Sequence, residues 1–367
     1  CNDYTKYMIK SKFLAVGVMS GTSMDGIDIS LILSDGKKSY KHIKSKFYSY
    51  KRSTKTILSK LMDSFTVSKH SLAHLSGAEQ LVTLEYIAAL KKFLKDENLL
   101  KIDLIALHGQ TIFHDPINKS SIQLCDEVKI KGVFNLPIVS DFRQKDLSLG
   151  GQGAPLTPIF HKLLMLDLKM IPPLCFVNIG GISNITVLDD QRHIYAYDTG
   201  PGMCLLDQYI SRKKKINFDK DGKYSLKGNV DLTILNKLMS DKYFNKKKNK
   251  SLDRNYFSLN PFMKLNFNDA CSTISAFTAL TITKEANRFN AKHLIVSGGG
   301  SKNKYVINRM KETFKGKLIT ADHLNLNSDF IESQAFAYLG IRRMKNLSIS
   351  FPSTTGVKYS VTGGKVN

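Results

Sequence analysis

Small hydroxyl, glycine and carboxylate residues crowd one short stretch near the start of the chain, GVMSGTSMDGID. A glycine-rich turn lets main-chain N–H groups face an anionic oxygen, and the hydroxyls of Ser20, Thr22 and Ser23 would add donors. Asp25 and Asp28 would repel a phosphate unless a cation or a water lies between, as in a phosphate loop with Mg²⁺ nearby. An ordinary hairpin turn explains the same composition, and the sequence has no GxxxxGK[ST] motif.

Two further apolar runs end in small polar residues. YDTGPGM places Asp198 before two glycines, and an acid at the mouth of a phosphate loop can bind a metal ion or act as a general base. VSGGGSKN contains Gly298, Gly299 and Gly300, which would allow a flat ligand or a diphosphate to approach closely. The three glycine-rich segments together predict a nucleotide held between two domains.

Three polar side chains follow other apolar runs. His108 and Gln110 end the run IDLIALHGQT, at the ligand-binding end of a predicted strand, although a histidine there is often a hydrogen-bonded core residue. Arg143 follows VFNLPIVSDF and suits a carboxylate through paired hydrogen bonds. A structural ion pair with Asp141 or Asp146 is the alternative for this arginine.

The elements that position these residues alternate strands and helices. FLAVGVM and IDISLIL predict a hairpin at the edge of a larger sheet, and LCFVNIGGISNITVL repeats the same pattern. Residues 53–100 have helical spacing, VFNLPIVSDF predicts a buried strand, and FIESQAFAYLGIRRM predicts a helix. The pattern indicates an α/β fold made by duplication. We expect a first domain of residues 8–130 and 335–367, with the last helix returning to it, and a second domain of residues 131–334.

Composition narrows the class of protein. The chain has 367 residues, with 54 basic and 31 acidic side chains and a net charge of +23. The lysines are scattered and accompany no RNP, zinc-finger or helix-turn-helix pattern, which favours a solvated basic surface over nucleic-acid binding. Five cysteines without a CxxC pair argue against a disulfide framework and a zinc site. No apolar run is long enough to cross a membrane. We expect a cytoplasmic protein, with Met8 as a candidate natural start.

Eight segments occur in an order that resembles one bacterial enzyme family. They are GVMSGTSMDGID, LHGQT, DFRQKDLSLGGQGAPL, NIGGISN, YDTGPG, FDKDG, VSGGGSKN and ESQAFAYL. The chain looks like an anhydro-N-acetylmuramic acid kinase, from about residue 13 to the C-terminal TTGVKYSVTGG. The resemblance implies the fold of sugar kinases, heat-shock proteins and actin-like ATPases, with two ribonuclease-H-like domains and ATP in the cleft between them.

The resemblance also implies a reaction in cell-wall recycling. The family enzyme adds water at C1 of 1,6-anhydro-N-acetylmuramic acid, opens the 1,6 bridge and transfers the γ-phosphate of ATP to O6. The product is N-acetylmuramate 6-phosphate, and Mg²⁺ accompanies ATP. The resemblance implies a homodimer as well.

Site roles carry over from the family residue by residue. Asp198 matches the base for the attacking water, and Glu332 matches an acid of the cleft, although a helix N-terminal carboxylate is the alternative. Arg143 would bind the lactyl carboxylate of the sugar, with His108 and Gln110 as further sugar ligands. Asp25 is the candidate for a contact with Mg²⁺ through water. The residues matching the family's ATP-binding segments are Gly21, Thr22, Ser23, Met24, Asp25, Gly26, Ile27, Asp28, Gly298, Gly299 and Gly300.

The chain departs from the family pattern mainly on the sugar side. Gln144 stands where a basic residue is common, Met203 where asparagine is common, and IQLC, ending at Cys125, where VQIG is common. A kinase of the same fold for another sugar is therefore one alternative function. A non-enzymatic ATPase of the actin or chaperone type is another, against which GGQGAPL and DFRQKD argue.

Overall fold

The structure is a computed structural model that describes residues 10–21, 23–64, 71–95, 102–245 and 251–367. The strands are β1 (Phe13–Ser20), β2 (Gly26–Ser34), β3 (Tyr40–Ser49), β4 (Leu104–Asp115), β5 (Ser120–Leu124), β6 (Ile138–Ser140), β7 (Leu174–Ile179), β8 (Ile182–Leu188), β9 (Ile194–Pro201), β10 (His293–Ser297), β11 (Lys317–Thr320) and β12 (Lys365–Val366). The helices are α1 (Arg52–Ser64), α2 (Ser71–Lys95), α3 (Glu127–Phe134), α4 (Gln144–Ser148), α5 (Pro158–Asp167), α6 (Cys204–Lys214), α7 (Leu232–Met239), α8 (Phe267–Arg288), α9 (Lys304–Thr313) and α10 (Ile331–Met344).

The chain forms two compact units. The first contains the described residues of Cys1–Leu163 together with Phe330–Asn367, and the second is Leu164–Asp329. In the first unit, β1, β2 and β3 form an antiparallel meander, and β4 and β6 extend the sheet in parallel on the other side of β1. The sheet order is β12-β6-β4-β1-β2-β3, with β5 paired to β4.

The second unit repeats this arrangement. Its sheet order is β11-β10-β7-β8-β9, in which β7, β8 and β9 form the antiparallel meander and β10 and β11 add in parallel. Both sheets therefore have a meander followed by two parallel strands on its far side. This confirms the predicted α/β fold with two ribonuclease-H-like domains.

Alternation along β1 places helices on both faces of the first sheet. Val16 and Val18 are buried in a core shared with α1, α2 and α3. Gly17 points to the other face, where a Cβ atom would lie 1.9 Å from the carbonyl oxygen of Ser333 in α10. Gly340 makes a similar close approach to Ala106 of β4. The last helix therefore packs directly on the centre of the first sheet.

The long helix α8 organises the second unit. It begins at the N-cap Asn266, whose side chain accepts a hydrogen bond from the Asp269 N–H. Its C-terminal half packs on the sheet through Ala279 and Ile282. Its N-terminal half joins a second core with α6, α7 and the aromatic side chains of residues 243–267. The second core lies in the same unit as β9 and Asp198.

The expected domain boundary near residue 130 is too early. Strand β6 pairs in parallel with β4 and antiparallel with β12, so it belongs to the first sheet. Residues 131–163 accordingly lie in the first unit, together with α10 and the C-terminal strand. Strand β6 pairs with strands that are distant in the sequence, and no local sequence signal predicts this pairing.

Three predicted elements differ in detail. The first hairpin lies inside its sheet, because β3 covers the outer edge of β2. The predicted strand at 133–142 is reduced to β6, because Val133 and Phe134 end α3 and Asn135 terminates this helix in a left-handed conformation. The segment DTGP, which was expected at a phosphate loop after an apolar run, lies within β9.

Candidate functional site

The turn between β1 and β2 is tight and ends in exposed polar residues. The Met24 N–H donates to the Gly21 carbonyl at 3.1 Å, and Met24 has a φ of 57°. Ser23 and Asp25 are exposed, and Asp28 is partly exposed on β2. Thr22 lies outside the described residues. The turn can therefore offer Gly21, Ser23 and Asp25 to a ligand.

Gly26 and Gly21 differ in the space that surrounds them. A Cβ atom on Gly26 would lie 2.2 Å from the Tyr48 carbonyl oxygen, so close packing of β3 requires glycine there. A Cβ atom on Gly21 would meet only the Ser23 hydroxyl, at 3.9 Å. Among the residues that the structure describes, no packing contact explains glycine at position 21. The open space beside Gly21 is what a bound phosphate would need.

Gln110 connects the end of β4 to this turn. Its side chain is fully buried, and Nε2 donates to the carbonyl oxygens of Gly21 at 3.1 Å and Thr111 at 3.2 Å. Two carbonyl acceptors fix the orientation of the amide. Its Oε1 atom has no hydrogen-bond partner in the described part of the chain. A buried acceptor of this kind suits a hydroxyl or amide donor of a ligand.

His108 and Arg143 form a hydrogen-bonded pair. Nδ1 of His108 lies 2.8 Å from the Gly109 carbonyl oxygen, so this nitrogen carries the proton. Nε2 then accepts from the guanidinium of Arg143, at 2.7 Å from Nη2 and 3.2 Å from Nε. Burial, and then the charge of Arg143, hold the pKa of His108 well below its usual value. The imidazole is therefore neutral and orients the guanidinium.

The guanidinium has a second anchor and two acidic neighbours. Nη1 of Arg143 donates to the Gly153 carbonyl at 2.8 Å. Burial lowers the pKa of Arg143 to about 10, against the opposing charges of Glu332 and Asp146. Glu332 lies in the first turn of α10, as the helix-dipole alternative requires, and its charge also acts on Arg143. The alternative of an Arg143–Asp146 pair holds only as a longer-range attraction, since the hydrogen bonds go to His108 and Gly153.

Asp146 holds the loop GGQGAPL in place. Its carboxylate is fully buried and accepts from the Gly153 N–H at 2.7 Å and from the Thr355 hydroxyl at 2.6 Å. A Cβ atom on Gly151 would lie 2.1 Å from the Asp146 carboxylate. A continuous set of hydrogen bonds therefore runs from Thr355 through Asp146 and Gly153 to Arg143. Arg143 is placed by this network.

Asp198 lies in the second unit, beside a β-bulge. Ser183 pairs with Gly200 and Asn184 pairs with Asp198, which leaves Thr199 as an extra residue in β9. Oδ2 of Asp198 accepts the Leu252 N–H at 2.9 Å. Burial raises the pKa of the Asp198 carboxyl to about 7, while the Leu252 N–H acts in the opposite direction. A carboxylate with this pKa is suited to take a proton near neutral pH.

The three glycines after β10 repeat the pattern of the first turn. Gly298 has a φ of 82°, and a Cβ atom there would lie 2.2 Å from Oδ1 of Asn178. A Cβ atom on Gly300 would lie 2.3 Å from the Ile179 side chain. A Cβ atom on Gly299 would meet nothing within 4 Å. Packing therefore explains the outer two glycines, and Gly299 faces open space, as Gly21 does.

The comparison with known proteins identifies the family. A family model described as anhydro-N-acetylmuramic acid kinase matches residues 13–367. The chain belongs to the anhydro-N-acetylmuramic acid kinase family. A relative of that name from Pelagibacter ubique is 38% identical and aligns over 96% of this chain and 97% of its own length. A relative from Methylorubrum populi is 35% identical, with 96% and 98% covered. The protein is therefore an ATP-dependent enzyme of the phosphotransferase class.

Likeness to solved structures is weaker. The activator of 2-hydroxyisocaproyl-CoA dehydratase from Clostridium difficile with bound ADPNP aligns over 91% of this chain and 96% of its own. The sequence identity is 13% and the TM-score is 0.43, too low for any argument from that structure. In the described part of the chain, no helix has the length and apolar character needed to cross a membrane.

The three departures from the anhydro-N-acetylmuramic acid kinase pattern lie at separate places in the structure. Gln144 is exposed, and its amide donates to the Lys119 carbonyl at 3.3 Å. Met203 packs at the border of the two cores of the second unit. Cys125 is partly buried, and burial raises the pKa of its thiol. None of the three removes a hydrogen bond that holds Arg143 or Asp198.

The structure brings the predicted residues together in groups. In the first unit, His108 and Arg143 are in contact and Gln110 is bonded to Gly21. In the second unit, Asp198 lies within β9 and the three glycines follow β10, and β7 and β8 separate these two strands in the sheet. Three further residues contribute to the site and were not predicted from the sequence, namely Asp146, Thr355 and Leu252. Of these, only Asp146 left a signal, since it lies three residues after Arg143 and before a glycine cluster.

Proposed function

We propose that this protein adds water to C1 of 1,6-anhydro-N-acetylmuramic acid and phosphorylates O6 from ATP, giving N-acetylmuramate 6-phosphate and ADP. Membership of the family supports the substrate class. The observation that carries the chemistry is the Asp198 carboxyl, which lies at a strand bulge with its pKa raised to about 7. Such a group is half ionised at neutral pH and can accept a proton from water.

The bonds change in a balanced sequence. Asp198 takes one proton of the water as the oxygen bonds to C1, and the C1–O6 bond breaks. O6 then attacks the γ-phosphorus of ATP, and ADP leaves. Placed carboxylate bases typically contribute about 10² to 10⁴-fold, and in-line placement of O6 supplies much of the rest.

We assign the phosphates of ATP to the turns with open glycines. Gly21 and Gly299 leave room where a side chain would otherwise stand, and the residues from Gly21 to Asp28 and from Gly298 to Gly300 match the family's ATP segments. No cluster of three or more His, Cys, Asp or Glu side chains suited to a metal occurs among the residues that the structure describes. This fits Mg²⁺, which typically takes one or two carboxylates together with phosphates and waters. Asp25 is exposed and would hold it through water; when bound, Mg²⁺ neutralises phosphate charge.

We assign the sugar to the network around Arg143. Five N–H donors belong to a guanidinium, and three of those of Arg143 are used by His108 and Gly153. The remaining two can bind the lactyl carboxylate as a pair. Gln110 offers an unpaired amide oxygen, and Glu332 offers a carboxylate, to hydroxyl or amide groups of the sugar. His108 acts on the sugar through Arg143.

The family resemblance alone supports three further proposals. They are a cytoplasmic location, a role in peptidoglycan recycling, and assembly as a homodimer. The basic net charge of +23 serves solubility and not nucleic-acid binding in this proposal.

The test follows both the phosphorus and the new oxygen. The protein is incubated with ATP, Mg²⁺ and the anhydro sugar in H₂¹⁸O, and the product is read by ³¹P NMR and mass spectrometry. We expect phosphate on an O6 that carries no ¹⁸O, with the label at C1. Asp198→Asn should abolish this product, whereas Asp190→Asn, at an exposed position, should not. ATP turnover with another sugar, and none with the anhydro sugar, would overturn the substrate assignment.

A further inference from the structure

Two segments of the second unit, one around Tyr243 and one around Leu252, contact Asp198. The Tyr243 hydroxyl donates to the main-chain carbonyl of Asp198 at 2.7 Å. The Leu252 N–H donates to its carboxylate at 2.9 Å. Tyr243 and Leu252 are both buried, at 3% and 8% exposure, so water has little access to either hydrogen bond. The peptide and the carboxylate of one residue are thus held separately.

An aromatic cluster anchors these two segments to α8. We call Tyr243, Phe244, Tyr256, Phe257 and Phe277 the aromatic clamp. Phe244 and Phe257 stack at a centroid distance of 6.0 Å, and Phe277 of α8 packs edge-on against both, at 5.8 and 5.0 Å. The ring centroids of Tyr243 and Tyr256 are 5.9 Å apart. Edge-to-face aromatic pairs are directional, so the clamp fixes orientation as well as burying apolar area.

One carboxylate also links the segments. Oδ1 of Asp241 accepts from the Tyr243 N–H at 2.8 Å and from the Tyr256 hydroxyl at 3.0 Å. The Tyr256 hydroxyl therefore belongs to the same cluster as Tyr243 but has no bond to Asp198. This difference provides a matched pair of hydroxyls, one that touches Asp198 and one that does not.

We propose that Tyr243 and Leu252 are positioning residues for the ring-opening step, in which the aromatic clamp presents the Tyr243 hydroxyl to the Asp198 peptide and the Leu252 N–H to its carboxylate. The inference rests on the proposed function, because it takes Asp198 as the base. It extends that function to the segments around residues 243 and 252, where the glycine motifs gave no signal.

The physical argument is that a base at a bulge lacks the regular support of a strand. The extra residue Thr199 interrupts the β8–β9 ladder at Asp198. A misplacement of about 1 Å in a reacting group can cost roughly 10²-fold in rate. The Leu252 N–H restrains the carboxylate against rotation, and the Tyr243 hydroxyl restrains the peptide that carries it.

Charged and titratable groups surround this pair and enter the pH dependence. The groups facing Tyr243 are Asp198, Glu285, Tyr197 and Tyr256, and their charges raise its pKa beyond the effect of burial. The Tyr243 hydroxyl therefore stays protonated and remains a donor. Two effects act on the pKa of Asp198 in opposite directions. Burial raises this pKa, and the hydrogen bond from the Leu252 N–H lowers it.

The first test compares two changes at position 252. Leu252→Pro removes the N–H donor, whereas Leu252→Ala removes the side chain and keeps the donor. Because the N–H stabilises the ionised carboxylate, its loss should move the acid limb of the kcat profile to a pH higher than that of wild type. Leu252→Ala should leave the limb in place. An unchanged limb in a folded Leu252→Pro enzyme would refute the role of this N–H.

The second test uses the matched hydroxyls and does not depend on proline. Tyr243→Phe should lower kcat about tenfold, the equivalent of one hydrogen bond at the transition state, with KM for ATP within about twofold of wild type. Tyr256→Phe keeps the ring of the clamp and removes a hydroxyl that does not contact Asp198, so it should lower kcat much less than Tyr243→Phe does. Equal kcat values for these variants, at equal melting temperatures, would contradict the inference. Absence of sugar-dependent activity in the wild-type protein would instead refute the proposed function, so the two failures are distinguishable.

Discussion

His108 presents a lone pair, and not a proton, to the guanidinium of Arg143. The Nδ1–H of His108 donates a hydrogen bond to the Gly109 carbonyl oxygen, and Nε2 accepts hydrogen bonds from Arg143. An imidazole used in this way cannot act as a general acid at neutral pH. Its contribution is to leave a defined edge of the guanidinium for a carboxylate, a shape that an ammonium group would not reproduce.

The role of Arg143 predicts a substrate-dependent effect. Arg143→Ala should lower kcat/KM for the anhydro sugar about 100-fold, because a charge-assisted pair of hydrogen bonds is lost. The same change should have little effect on an analogue without the lactyl group, so the two losses form a thermodynamic cycle. Steady-state kinetics on both sugars, with Arg212→Ala on the exposed face of α6 as control, measures it. Equal losses on both sugars would assign Arg143 a structural role.

Asp198 predicts the pH dependence of the reaction. Its pKa is raised to about 7 and the reaction needs its ionised form. We therefore expect kcat/KM to rise with pH and to reach half its plateau near pH 7. An Asp of ordinary pKa, near 3.9, would give a plateau throughout pH 5–8. A profile that is flat over this range would contradict the assignment of Asp198 as the base.

At the scale of elements, each of the two glycine turns contains one glycine with open space beside it. A Cβ atom at Gly21 or Gly299 meets no backbone, whereas one at Gly26 or Gly300 collides with a neighbouring strand. Alanine at the open positions should therefore leave the melting temperature within about 1 °C of wild type. Alanine at the packed positions should destabilise by roughly 1–3 kcal/mol, as overpacking does.

The same substitutions test where ATP binds. If phosphates approach the open glycines, Gly21→Ala and Gly299→Ala should raise KM for ATP about tenfold although the fold is intact. Kinetics with saturating sugar, beside thermal unfolding of each variant, separates the two effects. Normal KM values in both stable variants would remove these turns from the ATP site. The packed-position variants serve as controls for loss of structure.

Local sequence patterns predicted the parts of this fold that depend on local chemistry. Apolar runs with glycine turns predicted both β1–β2 and β7–β8, and the helical spacing of residues 331–344 predicted α10. Strand β3 was missed because its residues, Tyr40–Ser49, are largely polar and lie at a sheet edge. The pairing of β6 and the bulge at Asp198 depend on contacts with distant strands.

Some residues of the candidate site could also be predicted from local sequence, and others could not. Arg143 and Asp198 stood out because a charged residue followed an apolar run. Thr355 and Leu252 contribute through one hydroxyl and one main-chain N–H, and each lies more than 50 residues from its partner. A main-chain donor carries no side-chain signature. Only a three-dimensional structure could reveal this part of the site.

At the scale of the whole molecule, the two units share a strand order but differ in the chemistry they offer. The first contains the Arg143 network and the second contains Asp198 with its raised pKa. Asp207 of α6 has a pKa raised to about 7 as well, by burial and then by the charge of Asp219. The second unit therefore keeps two carboxyl groups that folding makes harder to ionise.

These carboxyl groups predict how stability depends on pH. A carboxyl whose pKa is higher in the folded state binds more protons there than when unfolded, so stability falls as pH rises from about 4 to about 7. Above that range, the decrease in the free energy of unfolding that these carboxyl groups cause stays constant. Asparagine at position 198 is neutral in both states, so Asp198→Asn should stabilise the protein at pH 8 by on the order of 2 kcal/mol.

The same variant should be inactive and more stable, with a gain that disappears in acid. Thermal unfolding of wild type, Asp198→Asn and the surface control Asp190→Asn between pH 4 and 8 measures this. We expect the difference in melting temperature between Asp198→Asn and wild type to shrink towards zero near pH 4, where the carboxyl is protonated in the folded state and about half protonated in the unfolded state. A difference that stays constant with pH would mean that the carboxyl of Asp198 is not held against ionisation. The greater stability of Asp198→Asn at pH 8 would then have a cause other than the ionisation of Asp198.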